Sequence, residues 1–412
     1  MKKLLCAILC VMLCAALCFG AWGCKTTGEG GKATADPMVI IDNEYIKQTV
    51  VSANFNYDGD YVLGTTVENK TDRSLTVDWR ICTVNGVVFM VREQMEVQPK
   101  SSGVLELEYY DWYLEEVGIT EVDELGFYVM VSDTEERWSG DPLYTGVCYH
   151  YPDGKSPDEA TRFVRQSKES DIVVEDSEDA TFIVDSMEFD SYGNWNVNCY
   201  FVNNTDEPMI YEVKTLTADG WLLDPYGTLA YLLPHSCCLQ SIEVNKQLFE
   251  KSGITTPTEL RFVIDKSDVL TNDDYFGATE TFTVYNSTDG LVAVTSPERT
   301  PVAGEVTLVD NEYFTMIVEG YGEGALSGTS FACYFENNSD KEITINVDEV
   351  TIDGKIYNTF AYVTLEPGVK TWTTADVNDL EDCTGVEKFV FRIRATDDEY
   401  NELMHELVTY QP

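Results

Sequence analysis

The residues best suited to chemistry in this sequence lie in one short run after Pro234. His235, Cys237 and Cys238 place an imidazole and two adjacent thiols within four positions. Such groups bind soft metal ions or take part in redox reactions. A closed zinc site, however, needs four ligands at suitable spacing, and no Cys-x-x-Cys pair occurs after Cys24. Adjacent cysteines also fit a strand with one buried and one exposed side chain, and the sequence favours this structural interpretation.

A second candidate metal site is acidic. Asn56, Asp58 and Asp60 supply oxygen side chains at alternate positions around Gly59, which is the kind of pattern that calcium loops use. The rest of a twelve-residue calcium loop is missing, and an ordinary turn fits the same residues better. We therefore expect no cofactor, with calcium as the one ion that this loop could hold.

Acid–base catalysis has few candidates. The three histidines are His150, His235 and His405, and none has a set of suitable partners near it in the sequence. The 72 acidic residues make carboxylate pairs common, so a pair has little diagnostic value. The chain has no Gly-rich phosphate loop, nucleophile elbow or basic patch. The sequence predicts a protein that is not an enzyme.

Two further features bear on binding. Tyr109-Tyr110-Asp111-Trp112-Tyr113 could stack on sugars, although its rings could instead pin a helix onto the fold. The net charge of −45 would repel nucleic acid and anionic lipid and could attract cations or a basic partner. A solvated acidic surface explains the same charge.

The first residues predict export. Lys2 and Lys3 precede an apolar run from Leu4 to Phe19, which has the length of a signal-peptide core. The run ends at Ala21-Trp22-Gly23-Cys24, which resembles a bacterial lipobox. The resemblance implies cleavage after residue 23 and acylation of Cys24, which would anchor the chain to a membrane. Residues 24–37 are small and polar and are typical of a flexible tether.

The remainder of the chain contains three copies of one unit. Asn69, Asn203 and Asn337 are spaced by 203 − 69 = 134 and 337 − 203 = 134, and each is followed at the second position by Thr or Ser. Three glycines and three prolines follow the same spacing to within one residue: Gly86, Gly220, Gly354, Pro99, Pro234, Pro367. A repeat of this length indicates tandem domains, and the Asn-x-Thr/Ser segments are typical of turns.

The middle copy differs in its opening. IDNEY begins at Ile41 and VDNEY at Val309, and both lie well before their asparagines. The middle copy is expected to open at Val184-Asp185, and Asp185 lies 18 residues before Asn203, whereas Asp42 and Asp310 of the outer copies lie 27 residues before their asparagines. This comparison predicts a first hairpin that is about nine residues shorter.

The pattern within each copy is that of short strands. Trp195, Val197, Cys199 and Phe201 alternate with polar or outward positions, which indicates a half-buried strand. One short helix is expected in each copy, over Asp111–Val117, Asn245–Lys251 and Asp376–Glu381. Roughly seven strands in about 110 residues favour an all-β fold of three tandem immunoglobulin-like β-sandwich domains.

The predicted organisation follows from these repeats. It consists of a signal peptide (1–23), a tether (24–37), repeat 1 (38–152), a linker (153–179), repeat 2 (180–286), a linker (287–304) and repeat 3 (305–412). Both linkers are polar, and we expect the chain to bend at them.

Seven cysteines remain after Cys24, an odd number that argues against a disulfide framework: Cys82, Cys148, Cys199, Cys237, Cys238, Cys333, Cys383. Cys199 and Cys333 are one repeat apart on an apolar face, so both are expected in the core. Cys82 and Cys148 are expected on the outward faces of their strands, where they could pair.

The whole layout resembles lipid-anchored bacterial surface proteins with tandem immunoglobulin-like domains. The resemblance implies a non-catalytic binding or spacer module on the outer face of the cytoplasmic membrane. Its partners would be the membrane, through the lipid, and a protein or carbohydrate ligand held at a sheet edge or an interdomain groove. Two alternatives stay open, a carboxylate-based hydrolase in one domain and a structural protein of the cell envelope. The oligomeric state is left open.

Overall fold

Strands with alternating buried and exposed side chains make up almost all of the regular structure. The computed structural model describes residues 38–89, 92–136, 140–224, 227–268, 279–286, 296–323, 328–377, 380, 383 and 386–412. The all-β prediction is confirmed, because these residues fold into β-sandwiches with only short helices. Three such sandwiches follow one another along the chain.

The strands correspond from one sandwich to the next. Those of the first sandwich are β1 Met38–Asp42, β2 Ile46–Phe55, β3 Tyr61–Asn69, β4 Leu75–Val84, β5 Val87–Phe89, β6 Glu93–Val97, β7 Ser102–Tyr109, β8 Leu125–Asp133 and β9 Tyr144–His150. Those of the second are β10 Ile172–Asp176, β11 Ala180–Phe189, β12 Trp195–Asn203, β13 Met209–Ala218, β14 Trp221–Asp224, β15 Thr228–Leu232, β16 Cys237–Val244, β17 Glu259–Asp268 and β18 Glu280–Tyr285. Those of the third are β19 Val306–Asp310, β20 Phe314–Glu323, β21 Thr329–Asn337, β22 Ile343–Ile352, β23 Lys355–Leu365, β24 Lys370–Val377, β25 Phe389–Asp397 and β26 Glu402–Tyr410.

Each sandwich has the same antiparallel order. One sheet of the first sandwich runs β1-β2-β3-β7, and its facing sheet is built on β4, which pairs with β5, β6 and β8, while β9 pairs with β8. The two later sandwiches repeat this arrangement. The third strand stays beside the second, whereas in a constant-type immunoglobulin domain it belongs to the facing sheet.

Large apolar side chains fill the space between the two sheets of each sandwich. Trp79 and Phe127 are fully buried in the first, Phe182 and Phe262 in the second, and Phe331 in the third. Burying each such side chain contributes roughly 1.5–3 kcal/mol, so these cores are the main source of stability.

The repeated asparagines lock the turn after the third strand. Asn203 is fully buried; its side-chain amide donates to the carbonyls of Glu207 at 2.7 Å and Leu233 at 3.1 Å. Its Oδ1 accepts from the N–H of Thr205 at 2.9 Å and the Thr205 hydroxyl at 2.8 Å. Asn69 and Asn337 make the same set of bonds. The prediction of a turn is confirmed.

Two of the three expected helices are present. Helix α1 spans Asp111–Glu116 and α2 spans Lys246–Ser252, where Asn245 caps the first turn and Gly253 ends it with φ 70°. In the third copy Asp376 and Val377 belong to β24, so the expected helix does not begin at Asp376. Residues 378–379 and 381–382 lie outside the described residues.

The prediction of a shortened middle copy is wrong. Strand β10 pairs with β11 over Ile172–Asp176, and both strands lie 134 residues after β1 and β2. The second sandwich therefore begins inside the segment predicted as a linker over 153–179. Its opening was hidden because Glu175-Asp176-Ser177 replaces the IDN of the outer copies.

The predicted linkers pack against the sandwiches where they are described. Arg165 donates to Asp171 at 2.8 Å and to Asp185 at 2.9 Å, and its guanidinium lies over the ring of Tyr200. The side chain of Arg165 is only 8% exposed. This contact ties the linker to the second sandwich, where the composition had predicted a bending point.

The second junction repeats the first at a spacing of 134. Arg299 binds Glu305 at 2.8 Å and Glu319 at 3.5 Å, and it lies over the ring of Tyr334 at 5.0 Å. All four residues are the counterparts, one repeat later, of those around Arg165. We call each set of four side chains a linker clamp.

The N-terminal predictions concern residues that the structure does not describe. The signal segment, the tether and Cys24 all lie within residues 1–37, outside the described residues. Among the residues that are described, no helix combines the length and the apolar character needed to cross a membrane.

Candidate functional site

A cleft of about 500 Å³ lies between the second and third sandwiches. One wall is the outer face of β13 and the adjoining β17, and the other is the outer face of β22 and β23 with the turn after β25. The walls come together because the β13–β14 hairpin contacts β24 of the next sandwich. The lining side chains are mainly polar: Glu212, Lys214, Thr215, Thr217, Leu222, Val263, Thr279, Glu342, Thr344, Tyr362, Thr364, Glu366, Val369, Asp397, Asp398, Tyr400.

Carboxylates dominate the charge in the cleft. Asp397 pairs with Lys341 at 3.0 Å, Glu366 pairs with Arg261, and Lys214 pairs with Asp265 outside the lining. The three other acids, Glu212, Glu342 and Asp398, take part in no ion pair among the described residues. The cleft therefore carries an excess of negative charge.

Asp397 organises one rim of the cleft. Its carboxylate accepts from the side chain of Asn401 at 3.0 Å and from the backbone N–H of Asn401 at 2.8 Å, and Lys341 lies beside it. These hydrogen bonds, with Asn401 first, lower the pKa of Asp397 to about 2. The turn that they hold places Tyr400 at φ 62° with its ring 88% exposed.

Aromatic and hydroxyl groups complete the lining. Tyr362 on β23 is 51% exposed and, with Tyr400, offers ring faces to a ligand. Thr215 and Thr217 on one wall and Thr344 on the other add hydroxyl groups, and Thr344 bonds its neighbour Thr364 at 3.0 Å. Such a surface can hold amines through carboxylates and rings, or hydroxylated ligands through hydrogen bonds.

The structure separates the residues of the predicted thiol–imidazole site. Cys238 points into the core of the second sandwich and Cys237 into that of the first, so both are buried. Burial raises the pKa of Cys237 to about 11 and that of Cys238 to about 12. His235 sits in a turn with φ 54°, and its Nε2 lies 2.8 Å from Asp206. These residues lie at the junction between the first and second sandwiches. One of the two cysteines was expected to be exposed, but Cys237 is covered by the first sandwich.

The candidate calcium loop is a hydrogen-bonded turn. The Asn56 side chain accepts from the N–H groups of Asp58 and Asp60, both at 2.9 Å. The Asp60 carboxylate accepts from the N–H of Asp111, the first residue of α1, at 3.0 Å, and this bond lowers its pKa. No group of three or more His, Cys, Asp or Glu side chains is placed to hold a metal ion within the described residues.

The remaining cysteines confirm one expectation and correct another. Cys199 and Cys333 are buried in their cores, as expected. Cys82 and Cys148 face inward, which corrects the outward placement. Both register with Phe127 of β8 from opposite sides, so two strand spacings of about 5 Å separate them. A disulfide needs Cα atoms closer than about 7 Å, and Cys82 and Cys148 are both free thiols.

The aromatic run around α1 divides between packing and exposure. Tyr109 is buried, and Tyr113 contacts Phe89 edge-on with ring centroids 4.4 Å apart. Tyr110 and Trp112 are 50% and 61% exposed. The rings that pin the helix and the rings that could meet a ligand are therefore different residues.

The other histidines do not assemble with the cleft. His150 is buried at the end of β9 in the first sandwich, and burial lowers its pKa to about 4. His405 lies on β26 of the third sandwich, 3.4 Å from Glu402. The cleft itself was missed by sequence reasoning, because its walls come from two different sandwiches and their lining residues are at least 63 positions apart in the sequence. The repeat spacing of 134 was the one feature of the sequence that bears on how successive sandwiches are arranged, and the same spacing relates the two linker clamps.

Comparisons with known proteins give no family. No protein-family model matches the chain, and no curated protein matches it. Solved structures with some likeness include red sea bream transglutaminase, at 10% identity and a TM-score of 0.18 over 59% of this chain. They also include a Ca²⁺-stabilized adhesin with which an Antarctic bacterium binds ice, at 10% identity and a TM-score of 0.15 over 89% of this chain and 81% of the adhesin.

A third likeness is to native E. coli alpha-2-macroglobulin, at 7% identity and a TM-score of 0.17 over 86% of this chain. The chain spans 31% of the transglutaminase and 22% of the macroglobulin. These TM-scores are too low to relate the function of this chain to that of any of the three proteins.

Proposed function

We propose that this chain is a non-catalytic, lipid-anchored surface protein that binds a cationic segment of a partner in the cleft between its second and third sandwiches. The observation that carries the proposal is the cleft of about 500 Å³ with three carboxylates outside any described ion pair and two exposed tyrosines. Cells present such cationic segments as lysine- or arginine-rich stretches of protein.

Electrostatics favours a cationic ligand over an anionic one. The cleft lies in a chain with a net charge of −45, which attracts positive ligands from a distance and repels negative ones. At short range Glu212, Glu342 and Asp398 can accept charge-assisted hydrogen bonds from amines. A cation over a tyrosine face adds roughly 0.5–1 kcal/mol at an exposed site, and Tyr362 and Tyr400 provide two such faces.

A neutral carbohydrate is the second candidate ligand. Its support is the set of threonine hydroxyls on both walls, together with the same two tyrosines. A sugar ring would stack on a tyrosine, and its hydroxyls would bond to threonines and carboxylates. This ligand differs from a cationic one in a measurable way, because its binding would depend little on salt.

The pKa pattern supports a binding role over hydrolysis. A carboxyl group that serves as a general acid is held protonated by a raised pKa. Among the described carboxyl groups, each one with a resolved shift has its pKa lowered: Asp42, Asp60, Asp123, Asp133, Glu159, Asp171, Asp185, Glu305, Asp397. We therefore rank the carboxylate hydrolase below the binding module, and the purely structural envelope protein below both.

The anchoring part of the proposal depends on Cys24. Its support is the sequence around Gly23-Cys24 and the apolar run before it. Intact-mass analysis of membrane-extracted protein should show a chain that begins at Cys24 and carries acyl groups. A soluble chain, or one that keeps residues before Cys24, would contradict the anchoring without affecting the cleft.

The binding part is tested by photo-crosslinking. The probe is a heptapeptide of alternating lysine and glycine that carries a benzophenone, and its control replaces each lysine with glutamate. We expect crosslinks from the lysine peptide on β23 and on the turn from Asp397 to Asn401. Crosslinks spread evenly over acidic surfaces of all three sandwiches would contradict a specific site.

A further inference from the structure

Both junctions in the chain use the same hairpin contact. The carbonyl of Gly86 accepts from the N–H of Cys237 at 2.8 Å, and the carbonyl of Gly220 accepts from the N–H of Lys370 at 3.1 Å. In each case the following residue pairs in parallel with the edge strand of the next sandwich, Val87 with Cys237 and Trp221 with Lys370. Each sandwich thus extends the sheet of the one after it.

An apolar residue follows each of these turns and is buried by the contact. Val88 is 1% exposed and belongs to the core that the second sandwich forms, while Leu222 is 2% exposed and belongs to the core of the third. In each junction, therefore, a glycine carbonyl of one sandwich accepts a hydrogen bond from the edge strand of the next. The apolar side chain two positions after that glycine is buried in the contact. We call the turn with its apolar residue the donor end and the edge strand with its outer face the acceptor face.

The third sandwich carries a donor end that no described residue covers. Its turn, Asp353-Gly354, has φ angles of 50° and 80°, the same geometry as the two used turns, and both residues are exposed. Ile356, the counterpart of Val88 and Leu222, is 58% exposed. Leu407, which lies three strands away on β26 of the same sheet, is 66% exposed.

The first sandwich carries an acceptor face that is equally open among the described residues. Ser102 at the start of β7 is the counterpart of Cys237 and is exposed, and β7 pairs only with β3, so it is a sheet edge. Val104, the counterpart of Leu239, is 68% exposed, and Val51 on the same face is 43% exposed. Exposed apolar residues on an open edge are what proteins usually cover.

We propose that the donor end of one copy docks on the acceptor face of a second copy, so that chains associate head to tail. The register of the internal junctions would place Lys355 at Ser102, whose cross-strand partner is Glu68. Lys355 and Glu68 are both exposed, so the contact brings opposite charges together. The inference is independent of the cleft and of its ligand.

The geometry makes the association open-ended and weak. A head-to-tail contact leaves one donor end and one acceptor face free on every oligomer, so growth continues instead of stopping at a dimer. The first sandwich also lacks half of a linker clamp, because Val51 and Thr66 stand where Asp185 and Tyr200 stand in the second. Without the clamp, self-association is reversible and requires high local concentration, which anchoring in a membrane would supply.

Sedimentation equilibrium of residues 25–412 tests the inference. The weight-average mass of the wild type should rise with concentration and pass the dimer value. Ile356→Asp disrupts the donor end and leaves the acceptor face intact, whereas Val104→Asp does the reverse. Each variant alone should therefore stay monomeric. An equimolar mixture of the two should form a dimer that grows no further. That rescue also shows that both variants are folded. Val164→Asp, at a linker residue 81% exposed, is the matched control and should associate like the wild type.

Charge exchange tests the register. Lys355→Glu and Glu68→Lys should each weaken association, and the chain with both substitutions should regain it. A wild type that stays monomeric at every concentration would overturn the inference. So would an Ile356→Asp variant that associates like the wild type, a wild type that stops at dimers, or a mixture of the two aspartate variants that remains monomeric.

Discussion

Arg165 and Arg299 occupy the same position in successive repeats, and each guanidinium joins a carboxylate of the linker to a carboxylate of the following sandwich. The partners of Arg165 are Asp171 and Asp185, and those of Arg299 are Glu305 and Glu319. Since both arginines are nearly buried, this relationship explains why chain segments with the composition of flexible linkers are held in place.

Arg165→Met should release the first linker. The substitution leaves the carboxylate of Asp171 without its cation and leaves Asp185 with only Lys168, which is 53% exposed. Removing one partner of a buried pair costs about 3–5 kcal/mol. We expect a loss of roughly 3 kcal/mol in the free energy of unfolding by urea and faster proteolysis between residues 155 and 171. Arg394→Met is the control, because Arg394 is 47% exposed in its pair with Asp348 and should cost less than about 1 kcal/mol. Equal losses for both variants would contradict the clamp.

Asn203→Ala should destabilise the second sandwich. The side chain satisfies two backbone carbonyls and accepts from Thr205 while fully buried, so its removal leaves buried polar groups unpaired. Each such group costs about 1–3 kcal/mol, and we expect a total loss of roughly 3 kcal/mol in the free energy of unfolding. Asn54→Ala, which removes only an exposed bond to the adjacent carbonyl, should be nearly neutral. A neutral Asn203→Ala would contradict the structural role of the turn.

The stability of the first sandwich should fall as the pH decreases from about 6.5 to 4. His150 is 1% exposed, neither of its ring nitrogens has a hydrogen-bond partner among the described residues, and burial lowers its pKa to about 4. The unfolded chain therefore takes up a proton first, so the stabilisation present above pH 6.5 is lost on acidification. The loss is about 3 kcal/mol at most.

The matching variants isolate this histidine. His150→Leu should remove the slope between pH 6.5 and 4 and should be as stable as the wild type at pH 7, because it buries no unpaired nitrogen. His405→Leu changes an exposed ring and should keep the slope. Urea unfolding followed by near-UV circular dichroism measures both, and a slope that survives in His150→Leu would rule out His150 as its source.

Cys237 and Cys238 should be unreactive in the folded protein. Their pKa values of about 11 and 12 leave almost no thiolate at pH 8, and both side chains are buried. Iodoacetamide should therefore modify neither residue in native protein and both after denaturation, as measured by peptide mass spectrometry. Rapid native labelling of either cysteine would favour the redox site that the sequence also suggested.

The fold was predictable to the extent that it repeats. The spacing of Asn69, Asn203 and Asn337 predicted the tandem sandwiches, because each of these asparagines is buried and makes the same hydrogen bonds to the backbone of its own sandwich. Alternation along β12 likewise predicted its buried face. Local patterns that reflect burial and turn chemistry are visible in a single sequence.

The failures have specific causes. The outward placement of Cys82 was wrong because a bulge between Trp79 and Ile81 inverts the alternation, so that Cys82 faces inward and Ile81 faces the second sandwich. The linker boundary at residue 179 was wrong because Glu175 replaces an apolar residue at the opening of the second copy. The cleft could not be predicted, because it depends on how two sandwiches meet.

Calorimetric titration with a lysine–glycine heptapeptide tests the proposed site most directly. Three proteins are compared, the wild type, a cleft variant with Glu342→Gln and Asp398→Asn, and a control with Glu169→Gln and Glu178→Gln, which removes the same two charges from exposed positions elsewhere. We expect the wild type and the control to bind the peptide alike, and salt to weaken the binding of both. The cleft variant should bind at least ~10-fold more weakly, a difference of about 1.4 kcal/mol. Equal weakening in both variants would show attraction to the overall charge and would contradict a specific site in the cleft.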